Sequence, residues 1–181
     1  MAVKELKDNQ DIPREYLATL INATPSADTP TWVLLGEDLE ELKMDISANV
    51  ETKKNILGKT KIKVTNYEVT DSVDPYYAKK GEVLYSFLEN IVRNRLVLDE
   101  CATQILTVYL WKGTTDAYEA DMENCVIEVK SSGGDTTGLS IPFDVHRTNE
   151  ITAGTYNLTK NEFTAGTTST QSTKSTKTVT A

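Results

Sequence analysis

Residues 75–96, PYYAKKGEVLYSFLENIVRNRL, hold the one long helical pattern in this 181-residue chain. Val83, Leu84, Phe87, Leu88, Ile91 and Val92 recur at the three-and-four spacing that gathers apolar groups on one side of a helix. Ser86, Glu89, Asn90, Arg93 and Asn94 fall on the other side. The spacing predicts a helix entered past Gly81 and ending near Arg95. Burying those six side chains is worth at most roughly 1.5–3 kcal/mol each, and a helix this short is marginal in water by itself. It therefore needs a sheet to cover. No second stretch matches it, which argues against alternating βαβ units and leaves a mainly β fold with one flanking α-helix.

The rest of the chain reads as strands. TWVLLG at 31–36 is an apolar run stopped by glycine. Leu42, Met44 and Ile46 then alternate with Lys43, Asp45 and Ser47, and Val50, Thr52 and Ile56 with Glu51, Lys53 and Asn55. Such alternation predicts half-buried strands with Leu42, Met44, Ile46, Val50 and Ile56 facing the core. Ile62, Val64, Tyr67 and Val69 continue it to the turn-prone TDSVDP at 70–75. TQILTVYLW at 103–111 is apolar on both faces and belongs inside the fold. KGTTDAYEADMEN at 112–124 reads as a polar connection, CVIEVK at 125–130 as a strand, and GTYNLTK at 154–160 as a last weak one. In LSIPFDVHR at 139–147 the apolar residues alternate, and Pro142, lacking a ladder donor, marks a strand that is an edge or meets its neighbour on the other side only.

Three segments follow: an N-terminal arm (1–30), a β domain (31–160) and a Thr/Ser-rich extension (161–181) expected to be disordered from about Thr167. The arm carries only the short apolar patch Tyr16, Leu17, Leu20 and Ile21, so it packs on another surface, frays in part, or forms a short helix on its own domain.

A net charge of −8 argues against a protein that grips nucleic acid, because such binders cluster Lys and Arg. No apolar run approaches the ~20 residues that span a bilayer, and the opening MAVKELKDNQDIPREYLATL lacks the apolar core of a signal peptide. Synthesis in a cytoplasm, without membrane partners, is the expectation. Cys101 and Cys125 are too few for a disulfide framework and fit no metal spacing, so both read as reduced, buried thiols.

Catalytic chemistry finds little footing. The single histidine, His146, sits on the polar face of its strand with no motif to place a nucleophile beside it. Nucleotide-binding, zinc-protease and serine-hydrolase signatures are absent. The acids Asp116, Glu119, Asp121 and Glu123 lack the order and glycine of a calcium loop. SSGGD at 131–135 opens no helix and reads as a hairpin loop. Tyr76 and Tyr77 suit a packing corner, an interface anchor or a stacking platform. No enzyme, cofactor or metal is expected.

The order of these parts resembles the major tail tube protein of long-tailed, non-contractile bacteriophages, the siphovirus type. The likeness is carried by TWVLLGEDLEELKMDIS at 31–47, NVETKKNIL at 49–57 and SVDPYYAKKGEVLYSFLENIV at 72–92, and covers most of 31–160. It implies a β-sandwich or barrel with one flanking helix, six copies closing into a ring, and rings stacking into a tube of the virion tail that conducts DNA into the host. It also implies the tape measure protein and DNA as transient occupants of the bore, with tail terminator and distal tail proteins at the ends.

Six subunits of −8 give a ring of about −48. An acidic bore would repel a passing duplex over the Debye length of roughly 8 Å, whereas a basic one would hold it. Asp45 and Glu51 are therefore expected to face the lumen, with Lys43 and Lys53 on the same alternation softening the field. Tyr16, Leu17, Leu20, Ile21, Tyr76 and Tyr77 are the intersubunit candidates. The competing readings are the inner tube of a contractile injection system and a surface- or carbohydrate-binding β-sandwich module.

Overall fold

The computed structural model describes residues 6–166 apart from 38, 40 and 135. The expectations for residues 1–5 and for the end beyond Gly166 lie outside the described residues. The strands are β1 (Leu17–Asn22), β2 (Trp32–Leu34), β3 (Met44–Lys54), β4 (Thr60–Val73), β5 (Ala102–Thr114), β6 (Ala117–Val129), β7 (Gly133–Gly134), β8 (Leu139–Ser140), β9 (Phe143–Asn157) and β10 (Glu162–Ala165). One α-helix, α1 (Val83–Asn94), lies between β4 and β5. An eight-stranded antiparallel sheet runs β2-β1-β5-β6-β9-β4-β3, with β10 paired to β9, and β7 and β8 make a separate hairpin. The fold is mainly β with a flanking helix, as expected.

The helix forms where the periodicity places it. Arg95 adopts the left-handed conformation (φ 53°), and the amides of Arg95 and Leu96 both donate to the Ile91 carbonyl, which closes the last turn. Leu84, Phe87, Leu88 and Ile91 are buried against one face of the sheet, together with Ile21, Ile105, Ile127, Phe143 and Val145. The opposite face buries a second cluster around Trp32, Leu106, Val108, Tyr118 and Tyr156. Strand β5 feeds both, with Ile105 on the helix side and Leu106, Val108 and Leu110 on the other, in line with its doubly apolar sequence.

A buried polar lock ties four strands together on the helix side. Arg147 of β9 donates from Nε and a terminal nitrogen to Asp71 of β4 (2.6 and 3.1 Å), and from its other nitrogen to Glu123 of β6 and Thr107 of β5 (3.0 Å each). All three charged side chains are nearly inaccessible. Two carboxylates and the full guanidinium fork satisfy one another, the condition under which buried charge is tolerated.

Several expectations change. Residues of the arm are part of the sheet: β1 pairs with both β2 and β5, and Tyr16, Leu20 and Ile21 are buried in the chain's own core while Leu17 is half-buried. Those four side chains are therefore not free anchors for a neighbour; apolar residues too few for a separate unit were enough for one strand of a shared sheet. Residues 112–124 are not a connection. β5 runs to Thr114 and β6 starts at Ala117, because Tyr118 and Ala120 alternate inward beneath the acids. TDSV at 70–73 continues β4 instead of turning. Pro142 precedes β9, which is a central strand between β6 and β4; among the described residues the edges are β2, β3 and the short β10.

Candidate assembly interface

The largest departure from the alternation rule is in β3 and β4. Met44, Ile46, Val50 and Ile56, expected in the core, are all exposed, and of the predicted set only Leu42 is buried. The reason is topological. β4 pairs with β9 only through Val69–Val73, and beyond Val69 both faces are exposed among the described residues. From there β3 and β4 continue as a free two-stranded ribbon. Thr60–Glu68 alone, at about 3.4 Å per residue, extends it by about 30 Å.

The ribbon has two distinct faces, because partners across an antiparallel pair share a side. Pairs Ile46↔Val69, Ala48↔Tyr67, Val50↔Val64 and Thr52↔Ile62 make one face apolar. Pairs Asp45↔Thr70, Ser47↔Glu68, Asn49↔Asn66, Glu51↔Lys63 and Lys53↔Lys61 make the other polar. A bulge between Asn49 and Val50 absorbs Thr65, whose hydroxyl donates to the Asn49 carbonyl at 2.9 Å, and the two-face pattern resumes past it. At the tip, Asn55 Oδ1 accepts from the amides of Leu57 and Lys59, and Gly58 takes φ 77°. This local wiring holds Ile56 and Leu57 out in solvent, at 102% and 77% exposure.

Asp45 and Glu51 both lie on the polar face, on either side of Ser47 and Asn49. Each is next to a lysine: Asp45 to Lys43 (3.8 Å) and Glu51 to Lys53 (3.0 Å). These exposed pairs contribute little to stability. Towards the tip the polar face turns basic, through Lys53, Lys61 and Lys63.

Tyr76 and Tyr77 occupy the corner between β4 and α1, both half-buried. Tyr76 donates to Glu82 Oε2 at 2.7 Å and meets the Phe143 ring edge-on at 5.9 Å. Burial first, then that carboxylate, raises its hydroxyl pKa. Tyr77 bridges to Ser140. These contacts make Tyr76 part of a packing corner between β4 and α1.

His146 makes more contacts than its sequence context suggested. Thr70 Oγ1 lies 3.3 Å from Nδ1, and Glu128 Oε2 is 2.8 Å from Nε2, in a row across β4, β9 and β6. A hydroxyl, an imidazole and a carboxylate in line suggest acyl transfer, but this row lies on an open sheet face whose strands use their amides in the β4–β9–β6 ladder, so the backbone of these strands offers no oxyanion donor. Glu128, Asp144 and His146 also bring three ligand atoms within 4.8 Å of one another. Lys130 Nζ already lies 2.7 Å from Asp144 Oδ2, so a metal ion would have to displace it. Both cysteines are free and buried.

No family model matches the chain, and no curated protein matches it. Among solved structures it is similar to the sheath/tube terminator of an extracellular contractile injection system, PVC, in its extended state (11% identity, TM-score 0.49, covering 81% of this chain and 99% of that one). It is also similar to the tube-terminating cap of the anti-feeding prophage (11%, 0.49, 86% and 99%) and to a chain of the PVC sheath–tube complex (12%, 0.44, 82% and 94%).

Proposed function

We propose that this chain is the tube-forming subunit of a long, non-contractile phage tail, a structural protein that closes into six-membered rings and stacks into a conduit for DNA. The observation that carries this is the amphipathic ribbon, which exposes an apolar face that water does not favour and a long strand edge on β3. An isolated two-stranded hairpin is marginal in water. A copy on each side satisfies both needs: the apolar face packs on a neighbour, the open edge is covered, and ring closure leaves no exposed sheet edge.

In that arrangement the polar face, with Asp45, Glu51 and the lysines Lys43 and Lys53, lines the bore. DNA and the tape measure protein pass along it, and terminator and distal tail proteins cap the two ends of a tube in the virion tail. The test is negative-stain microscopy with sedimentation of the purified full chain. Hollow filaments or six-membered rings are expected. A dispersed monomer at tens of micromolar would sink the reading.

A further inference from the structure

We infer that the tip of the β3–β4 ribbon, residues 53–63, docks peripherally on a lipid bilayer that carries anionic headgroups. This goes beyond the tube reading and does not depend on it, since the tip is exposed on a single copy. The tip holds Lys53, Lys54, Lys59, Lys61 and Lys63 and no acid, so +5 stands at the end of a chain whose net charge is −8. Among the described residues only Lys53 of these five has an ion-pair partner, Glu51. Ahead of the lysines stand Ile56 and Leu57, both largely in water. Bare aliphatic side chains on a basic collar suit an acidic membrane surface. The aliphatics enter the headgroup layer to a depth of roughly 5–10 Å, and the lysines stay with the lipid phosphates and carboxylates.

The backbone of the turn fits the same place. The Asn55 amide donates to the Lys59 carbonyl and the Gly58 amide to the Asn55 carbonyl, at 2.9 Å each. The amides of Leu57 and Lys59 donate to Asn55 Oδ1. These donors carry their acceptors with them, so leaving bulk water costs the turn little. A nucleic-acid backbone would use the lysines but leave Ile56 and Leu57 in water. The acidic remainder of the chain does not oppose the contact. It lies about 30 Å from the tip along the ribbon, several times the Debye length of roughly 8 Å. Docking of this kind needs no spanning segment, and no helix among the described residues is long and apolar enough to be one. Cyclic closure of several copies would set every tip on the same rim and strengthen the contact by avidity.

The test is density-gradient flotation of the full chain with vesicles, in which bound protein rises and any filaments sink. The vesicles are phosphatidylcholine alone, or phosphatidylcholine with about 30% phosphatidylserine. The chain should float with the second and stay at the bottom with the first. Ile56→Ser with Leu57→Ser, and separately Lys59→Gln with Lys61→Gln, lie on exposed positions and should keep the native circular dichroism. Each pair should weaken vesicle binding at least about tenfold. No flotation with either vesicle, equal flotation with both, or unaltered binding by either variant would overturn the inference. So would binding to a short DNA duplex in place of the vesicles, which would assign the lysines to a phosphate backbone. Flotation by a chain that forms neither rings nor filaments would fail the tube reading alone, and filaments without flotation would fail this inference alone.

Discussion

Arg147 shows most directly how one residue holds this sheet in register. It is the shared partner of Asp71 and Glu123 in a place water does not reach. Arg147→Met should therefore cost about 3–5 kcal/mol in urea unfolding, because two buried carboxylates lose their counter-charge. Adding Asp71→Asn and Glu123→Gln should recover part of that loss. Cys125 makes a second prediction. Burial pushes its thiol up to about 12, against roughly 8.5 for an open thiol. Its contribution is complete below the unfolded value and is lost as pH rises through the folded one, since the unfolded chain releases its proton first. Stability in denaturant titrations should fall between about pH 8.5 and 12, and a Cys125→Ala variant should show a shallower fall. Cys125 already reads in the sequence as a buried thiol, but the role of Arg147 was not legible there. Arg147 and Asp71 lie on strands far apart in the chain, and Glu123 looked like one acid among four in a polar run.

At the scale of elements, the helix and the ribbon are opposite cases. The helix is amphipathic and its apolar side is covered by its own sheet, so Leu88→Ala should cost about 2–5 kcal/mol. The ribbon is just as amphipathic, and among the described residues nothing covers its apolar side. Val50→Thr with Ile62→Thr should change the stability of the free subunit by no more than about 0.5 kcal/mol, yet abolish rings and filaments in sedimentation. Equal losses of stability and assembly would mean that this face is buried within the subunit. Periodicity alone could not separate the two elements, since it reports that one side is apolar and not what covers it.

At the scale of the molecule, two experiments follow from the strand order. β1 is an interior strand between β2 and β5, so deleting residues 2–28 should give an aggregated, unfolded chain and not a soluble monomer, as light scattering and circular dichroism would show. If Asp45 and Glu51 line a bore, reversing both to lysine should leave tubes intact in micrographs and slow DNA delivery; unchanged delivery would remove them from the lumen. What the sequence by itself determined is local: the helix and its buried side, the doubly apolar β5, the buried free thiols and the mainly β class, because spacing of apolar residues acts over one or two turns or a single strand. Only the tertiary structure decided that the arm supplies a core strand, that β9 is central, that the acids of β6 lie in a strand, and that β3 and β4 leave the sheet bare on both sides. Those outcomes depend on which strands pair, a long-range choice in which the total burial of the whole sheet outweighs any one segment's own pattern.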